Sequence, residues 1–253
     1  FFFSSRRRHT RLLTVTGSSD VCSSDLLSMA LPAWSYSSIK LFETCAKKYE
    51  AERITKEVKY TDNESTLYGK ALHLAAEEYI RDDKPLPERF SFLEGILSKL
   101  KALPGEKFCE RKFGVASVDN ELVPCNFFAD NVWFRGVADL LIVNGETARV
   151  VDYKTNKDAK YADSRQLALL AACVFLEHPQ VKVIKGALLF VVCGAMVKQE
   201  YTYERRFDIF GELTPLLTRR EVAYETQTFN ANPNGLCRKH CDVLSCPHNG
   251  RHR

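Results

Sequence analysis

The stretch 133–155, WFRGVADLLIVNGETARVVDYKT, constrains the chain more than any other. Its two apolar runs, VADLLIV and ARVVDYK, are separated by Asn144-Gly145, a strong short-range signal for a β-hairpin. Each run carries a carboxylate among its hydrophobic residues, Asp139 in the first and Asp152 in the second, and Lys154 follows two residues later. Charge within a buried strand costs free energy unless it is paired or bound to a metal. If Asn144 and Gly145 are the two turn residues, Val143 faces Glu146 and Asp139 faces Val150. Side chains alternate along a strand and cross-strand partners share a side, so Asp139, Asp152 and Lys154 are expected on one face. The carboxylates then lie on a diagonal of about 7–8 Å at the backbone, a gap that folding can close around a divalent cation. A three-residue loop without a bulge would put them on opposite faces.

The 45% hydrophobic content allows a sizeable core. No apolar run reaches the roughly 18 residues needed to span a bilayer, so a cytoplasmic protein with no membrane partner is expected. Residues 1–28 show neither helical nor strand period and resemble a translated sequencing adapter fused to the reading frame. They are read as a non-native leader, with a basic transit-like segment as the alternative. Met29 is then the expected start and 29–253 a single domain. The leader holds four Arg and two Asp, so half of the +4 net charge belongs to it. Affinity for nucleic acid must therefore come from local patches.

Residues 35–54 suggest a helix with Ser35 or Ser37 near its N-cap, and 66–81 a second, which stacks His73 and Glu77 on one side. A Pro-broken loop over 82–88 leads to a third helix over 89–102. The period then changes to that of strands: 107–118, then 122–134 as another short strand or an extension of the hairpin, and the hairpin itself. A helix over 163–177, a strand over 181–194 turning at Gly194-Ala195 into 196–205, and a closing helix over 207–225 complete the order. Helices, meander strands, one crossover and a final strand pair imply an α/β fold with a mixed sheet.

In chain order, His73, Glu110, Asp139, Asp152 and Lys154 fall on a helix, the first strand and the hairpin. GVAD at 136–139 followed by VVDYKT at 150–155 resembles the signature of PD-(D/E)XK nucleases. GKALH at 69–73 resembles the glycine-and-histidine helix of the RecB-like exonuclease branch. That branch also has a glutamate opening the strand before the hairpin, matched by Glu110 with Glu106 as the nearby alternative, and a helix glutamine after the lysine, matched by Gln166. The resemblance spans 35–249 and implies a restriction-endonuclease-like fold. Ala138 stands where the signature has proline, and Asp152 where glutamate is also common. Leu170 occupies a position where the branch often has tyrosine, so that role is either lost or supplied elsewhere, by Tyr153 or Tyr161.

The chemistry agrees with the resemblance. Phosphodiester hydrolysis needs a nucleophile at neutral pH and stabilisation of charge developing on phosphate oxygens. Carboxylate-held Mg²⁺ or Mn²⁺ supplies both, and a lysine beside it adds a point cation. Asp139 and Asp152 are the expected ligands, and His73 adds a nitrogen that tilts preference towards Mn²⁺. The alternatives are bland: carboxylates in solvated turns, a satisfied helix histidine at 73, a solvated strand-start glutamate at 110 and a surface glutamine at 166. Lys47, Lys48, Arg111, Lys157, Lys160 and Arg165 are candidate phosphate contacts.

Cys109, Cys125, Cys173 and Cys193 lie in apolar surroundings and read as small buried hydrophobes. Cys237, Cys241 and Cys246 instead fall within ten residues of a loop and read as a metal site. With Cys45 as a fourth ligand they resemble the four-iron four-sulfur (4Fe-4S) cluster of CRISPR adaptation nucleases and AddB-type subunits, with late spacing x₃ and x₄ in place of x₂ and x₅. Zn²⁺ held by three cysteines and His240 or His248 is the competitor. The resemblance implies a DNA exonuclease of bacterial or phage recombination and repair, acting on single-stranded or duplex ends. Any helicase or recombinase would be a separate partner, since no Walker A motif is present. The alternatives are a CRISPR spacer-adaptation nuclease and a non-catalytic DNA-binding scaffold.

Overall fold

The structure is a computed structural model that describes residues 31–59, 61–119, 121–160 and 162–252. The leader over 1–28, Met29 and Tyr161 lie outside the described residues. Helix α1 (Tyr36–Thr44) begins at a reciprocal cap: Ser38 N–H donates to Ser35 Oγ and Ser35 N–H to Ser38 Oγ. It stops at Cys45, whose φ of −165° and ψ of 111° are extended, and resumes as α2 (Ala46–Tyr49), which runs into a π-helical stretch over Glu50–Ile54. The one helix expected over 35–54 is thus broken at the cysteine. Asn63 caps α3 (Glu64–Arg81), and a 3₁₀ stretch over Glu88–Leu93 leads into α4 (Glu94–Ala102).

Six strands follow in one sheet: β1 (Glu106–Val118), β2 (Glu121–Cys125), β3 (Val132–Asn144), β4 (Thr147–Lys154), β5 (Val183–Phe190) and β6 (Ala195–Thr202). Their order is β2-β1-β3-β4-β5-β6, antiparallel throughout except for β4 and β5. That parallel pair is joined through α5 (Arg165–Glu177), the single crossover expected from the sequence. The closing helix is two pieces, α6 (Arg206–Gly211) and α7 (Thr214–Glu225), with Pro215 in the first turn of α7. This mixed sheet between helices is the α/β, restriction-endonuclease-like architecture the sequence implied.

Adjacent residues on the central strands enter different cores, which separates the two faces. Leu140, Ile142, Val151, Tyr153 and Leu189 pack with α3 and α4. Leu141, Ala148, Val150 and Leu188 pack with α5 and the helices beyond it. The hairpin turn differs from the expected one: Asn144 pairs with Thr147, so Gly145 and Glu146 are the turn residues. Gly145 takes φ +59° at the first turn position, where glycine pays no steric penalty. The turn keeps its even length, and the pairing moves by two residues rather than one.

A second irregularity lies deeper. Ala138 and Leu141 on β3 both enter the α5-side core, as do Phe108 and Phe113 at β1. Residues an odd number apart cannot share a face of a regular strand, so each strand turns over once between them. Glu110 lies in that stretch of β1 with φ +50°, flanked by the pairs Cys109–Leu140 and Arg111–Ala138 that set it opposite Asp139. A left-handed non-glycine residue inside a strand stores strain of order 1–3 kcal/mol and marks a constrained place. The cysteines also differ from expectation: Cys173 is buried, but Cys109 and Cys125 are half-buried and Cys193 is exposed. Cys109 precedes the turn-over in β1, Cys125 ends β2 and Cys193 lies in the turn between β5 and β6, so apolar neighbours in sequence do not enclose them.

Candidate active site

The β3–β4 ladder closes with Leu140 and Val151, and the strands then separate. Asp139 fills the opening, its Oδ2 accepting the Tyr153 N–H at 2.6 Å in place of a backbone carbonyl. His73, presented by α3 across the strand ends, ties the same residues together. Its Nε2 lies 3.1 Å from the Tyr153 carbonyl oxygen and its Nδ1 lies 3.3 Å from Asp139 Oδ1. A carbonyl only accepts, so Nε2 carries the hydrogen and Nδ1 faces carboxylates. The second is Glu110, with Oε1 at 4.0 Å.

Alternation along β4 sends Asp152 and Lys154 to the α5 side, where Gln166 meets them. The Gln166 amide NH₂ donates to Asp152 Oδ1 at 2.5 Å, and Lys154 Nζ donates to Gln166 Oε1 at 2.7 Å. Lys154 Nζ also forms an ion contact with Asp152 Oδ2 at 2.6 Å, at an angle too poor for a hydrogen bond. Asp152 is only 3% exposed. Burial pushes its carboxyl up to about 6, the Asp139 charge adding to the rise while Lys154 and His73 oppose it. Burial and then Asp139 raise the Glu110 carboxyl as well. For His73, burial favours the neutral ring, but the hydrogen bond and charge of Asp139, with Asp152 and Glu110 behind, carry its pKa above the ordinary value.

Three acids beside one lysine and one imidazole form a site that attracts cations. Among the described residues, His73, Glu110 and Asp139 are the group whose ligand atoms all lie within 4.8 Å of one another. A neutral imidazole lone pair and two carboxylates aimed at one point repel unless a cation stands between them. One nitrogen and two oxygens suit a divalent ion of intermediate hardness. Glu110 therefore stands in this group where the sequence placed Asp152, whose oxygens are turned to Gln166 and Lys154.

A family model of the PD-(D/E)XK nuclease superfamily matches residues 33–247. The chain belongs to this superfamily. Among solved structures, the nuclease is similar to the crystal structure of SSO0001 (15% identity, TM-score 0.42, covering 86% of this chain and 87% of that one). It is also similar to a protein described as a candidate exonuclease from Eubacterium rectale (13% identity, TM-score 0.48, covering 85% and 90%). No curated protein matches the chain.

The nuclease has a cleft on each side of these residues. One is lined by Thr66, Gly69, Lys70, His73, Glu110 and Thr155. Gly69 faces Thr155 across it, and a Cβ there would make only an ordinary contact, 3.6 Å from Thr155 Oγ1. The other runs from Gln166 past Val137 and Gly136 to Arg135, between α1, β3 and α5. Leu170 lines this second cleft and packs on Gly136, where a Cβ would meet it at 3.0 Å.

Four of the six basic residues proposed as phosphate contacts are held by carboxylates of the chain itself. Lys47 pairs with Glu50, Lys48 with Glu52, Arg111 with Glu177, and Arg165 with Asp163 and Glu43. The first two follow from helical spacing, which ranks such pairs as surface structure. Sequence reasoning passed over Arg53 and Arg135, which line the second cleft instead. Arg135 carried a signal in retrospect, standing four residues before Asp139 on the same strand.

At the far end of α1, Cys45, Cys237, Cys241 and Cys246 line one small cavity. Backbone N–H groups of Asn232 and Asn234 donate to Cys45 Sγ and Cys237 Sγ, both at 3.4 Å. Ala51, Val243 and Cys246 form a separate small core that joins the two distant segments. Among the described residues, no helix is long and apolar enough to cross a membrane.

Proposed function

We propose that this nuclease is a divalent-metal-dependent DNA exonuclease of bacterial or phage recombination and repair. One observation carries the reading: His73 Nδ1, Asp139 and Glu110 converge on one point beside a buried Asp152 held to Lys154 through Gln166. The exonuclease element rests on the resemblance of α3, with GKALH, to the RecB-like helix, here placed over the strand ends. Mg²⁺ or Mn²⁺ held by Asp139 and Glu110, with His73 favouring Mn²⁺, would acidify a bound water and offset phosphate charge. Asp152 belongs to the same set once its contact with Gln166 is exchanged. The Tyr153 carbonyl accepts from Nε2 and fixes the His73 ring, a supporting contact that aims Nδ1 at the ligand position, where a metal would displace any proton held there. Gln166 holds the Lys154 ammonium next to Asp152, where it stabilises the attacking oxygen and the charge growing on the phosphate.

The four cysteines suit a 4Fe-4S cluster that fastens α1 and α2 to the C-terminal loop. A zinc tetrahedron with bonds of about 2.3 Å needs sulfurs about 3.8 Å apart. Among the described residues, no three of these sulfurs lie within 4.8 Å of one another, so the side chains would have to close in to hold zinc. The N–H groups aimed at two sulfurs also suit a cluster, since such bonds stabilise anionic sulfur.

The test is cleavage of end-labelled linear DNA and of closed circles with Mn²⁺. Asp152→Ala and Lys154→Ala should each abolish release of labelled nucleotides, and circles should survive. Unchanged activity in both variants would discard the site, and cleavage of circles would replace exonuclease with endonuclease. Protein purified without air should be brown, absorbing near about 400 nm, and Cys45→Ala should lose that colour. A colourless, zinc-containing preparation overturns the cluster.

A further inference from the structure

Beyond the catalytic residues, the second cleft leads to an unusual surface. Its volume is about 540 Å³, and it is lined by Gln166 at one end and by Arg53, Phe127 and Arg135 at the other. No carboxylate lines it. Phe127 and Phe128 form an edge-on pair with ring centroids 5.0 Å apart, and Phe128 is 71% exposed. Lys112 Nζ lies 5.4 Å from the Phe128 ring and 5.8 Å from the Phe127 ring, while the Arg135 guanidinium lies 5.6 Å from the Phe127 ring. Arg135 is further fixed by donating from Nε to the Phe127 carbonyl at 2.8 Å. Among the described residues, none of Arg53, Lys112 and Arg135 forms an ion pair with a carboxylate, unlike most other basic residues near the site.

An exposed phenylalanine with an unpaired lysine beside it, adjoining a second ring that carries an unpaired arginine, serves neither the core nor a salt bridge. That combination is what an unpaired nucleotide requires: a ring face for the base and cations for the phosphates on either side. A paired base stays within its own stack and does not offer its face to Phe128. Four residues of β3 separate Arg135 from Asp139, about 13 Å at 3.3 Å per residue, which is the reach of a few nucleotides of one strand.

We infer that Phe127, Phe128, Lys112, Arg135 and Arg53 form a stacking platform for unpaired nucleotides of the substrate strand, giving the enzyme a preference for single-stranded ends. This rests on the nuclease reading of the Asp139–Asp152–Lys154 centre, with which the platform is continuous through Gln166. Phe128 supplies the ring, and Arg135 and Arg53 hold phosphates between it and the scissile bond.

The experiment compares KM and kcat for a 20-nucleotide single strand and a blunt duplex of the same sequence, with Mn²⁺. Phe128→Ala should raise KM for the single strand on the order of tenfold, with a smaller change in kcat and less than about twofold change on the duplex. Phe128→Trp should restore the wild-type KM and Phe128→Leu should not, because a packing role needs only an apolar group whereas stacking needs a ring. Arg135→Ala should flatten the salt dependence of single-strand affinity by about 0.7 in log–log slope. An unchanged KM in Phe128→Ala, or full rescue by leucine, overturns the platform. Fluorescence anisotropy of a labelled oligothymidine without metal reads the same ring dependence as binding. A protein that binds it through Phe128 but cleaves nothing keeps the platform and refutes the nuclease reading, whereas cleavage without that dependence does the reverse.

Discussion

Replacing Asp152 by asparagine should remove a loss of stability that the metal-free protein suffers as pH rises, while destroying its activity. The Asp152 carboxyl is raised from an ordinary 3.8 to about 6, burial being the main cause and Asp139 the second. A raised folded pKa means that the folded state binds the proton more tightly than the unfolded chain. Stability from this group is therefore present in full below about pH 3.8 and is lost as pH rises through about 6. At about 1.4 kcal/mol per pH unit, the loss amounts to about 3 kcal/mol between pH 4 and pH 8. The group is almost fully buried, so solvent screening does not reduce that figure much. In Asp152→Asn the carboxyl cannot ionise, and this part of the pH dependence disappears. The difference in unfolding free energy between variant and wild type should thus move by about 3 kcal/mol in the variant's favour from pH 4 to pH 8, or about 6–12 °C in melting temperature for a chain of this size. The slope is the quantity to read, because the asparagine NH₂ faces the Lys154 ammonium and gives the variant a fixed, pH-independent penalty. Urea or thermal unfolding with chelator present measures it. With Mn²⁺ at a hundred times its dissociation constant, the wild type should regain about 2.7 kcal/mol at pH 8 and the variant less. Parallel pH profiles for the two proteins would refute the reasoning and show that Asp152 ionises freely.

The strain at Glu110 makes a second comparison. Glu110→Gly and Glu110→Ala both remove the carboxylate, but only glycine relieves φ +50°, so the glycine variant should be the more stable by about 1 kcal/mol in urea unfolding; equal stability would mean that the backbone relaxes on its own. Gln166→Leu should lower activity about 10–100-fold through loss of the contacts that seat Lys154 and Asp152, with a normal circular dichroism spectrum and melting temperature to exclude misfolding. His73→Ala should leave an all-oxygen ligand set and narrow the preference for Mn²⁺ over Mg²⁺ in activity titrations, whereas an unaltered ratio would place His73 outside the metal's shell.

The hairpin shows why much of the site was legible in sequence. Apolar alternation with embedded acids fixes two strands, and Asp152 and Lys154, two apart on β4, share a side whatever the turn, so misplacing the turn at Asn144-Gly145 did not scatter them. The pairing shift did change Asp139. With Asn144 opposite Thr147, Asp139 lies just past the last ladder pair and level with Asp152, and it fills the strand opening where the Tyr153 N–H needs an acceptor. Helical spacing likewise placed His73 on α3, but no spacing rule says that its ring will sit on the Tyr153 carbonyl across the strands.

Glu110 is the harder case, because the features that matter there have no local sequence signal. A period-2 reading predicts that Phe108 and Phe113 face opposite sides, yet both enter the α5-side core. The turn-over that allows this lies at a glutamate, where local propensity favours neither φ +50° nor a bulge. Its cause is tertiary: β3 turns over at the same level, and pairing on both flanks of Glu110 forces β1 to follow. The same distortion brings Glu110 within reach of His73 and Asp139 and lets the carboxylates converge. A regular β1 would have been easier to read and more stable, and it would have left the third acid pointing away from the metal position. The basic residues fail in the opposite direction. Lys47, Lys48 and Arg165 were conspicuous by proximity in sequence and are consumed by neighbouring acids, whereas Arg135 was unremarkable and stands unpaired in the cleft because β4 ends before reaching its level and Trp34 pairs with β3 there instead. Which charges remain free to meet a phosphate is a property of the assembled surface, and it is decided where strands end.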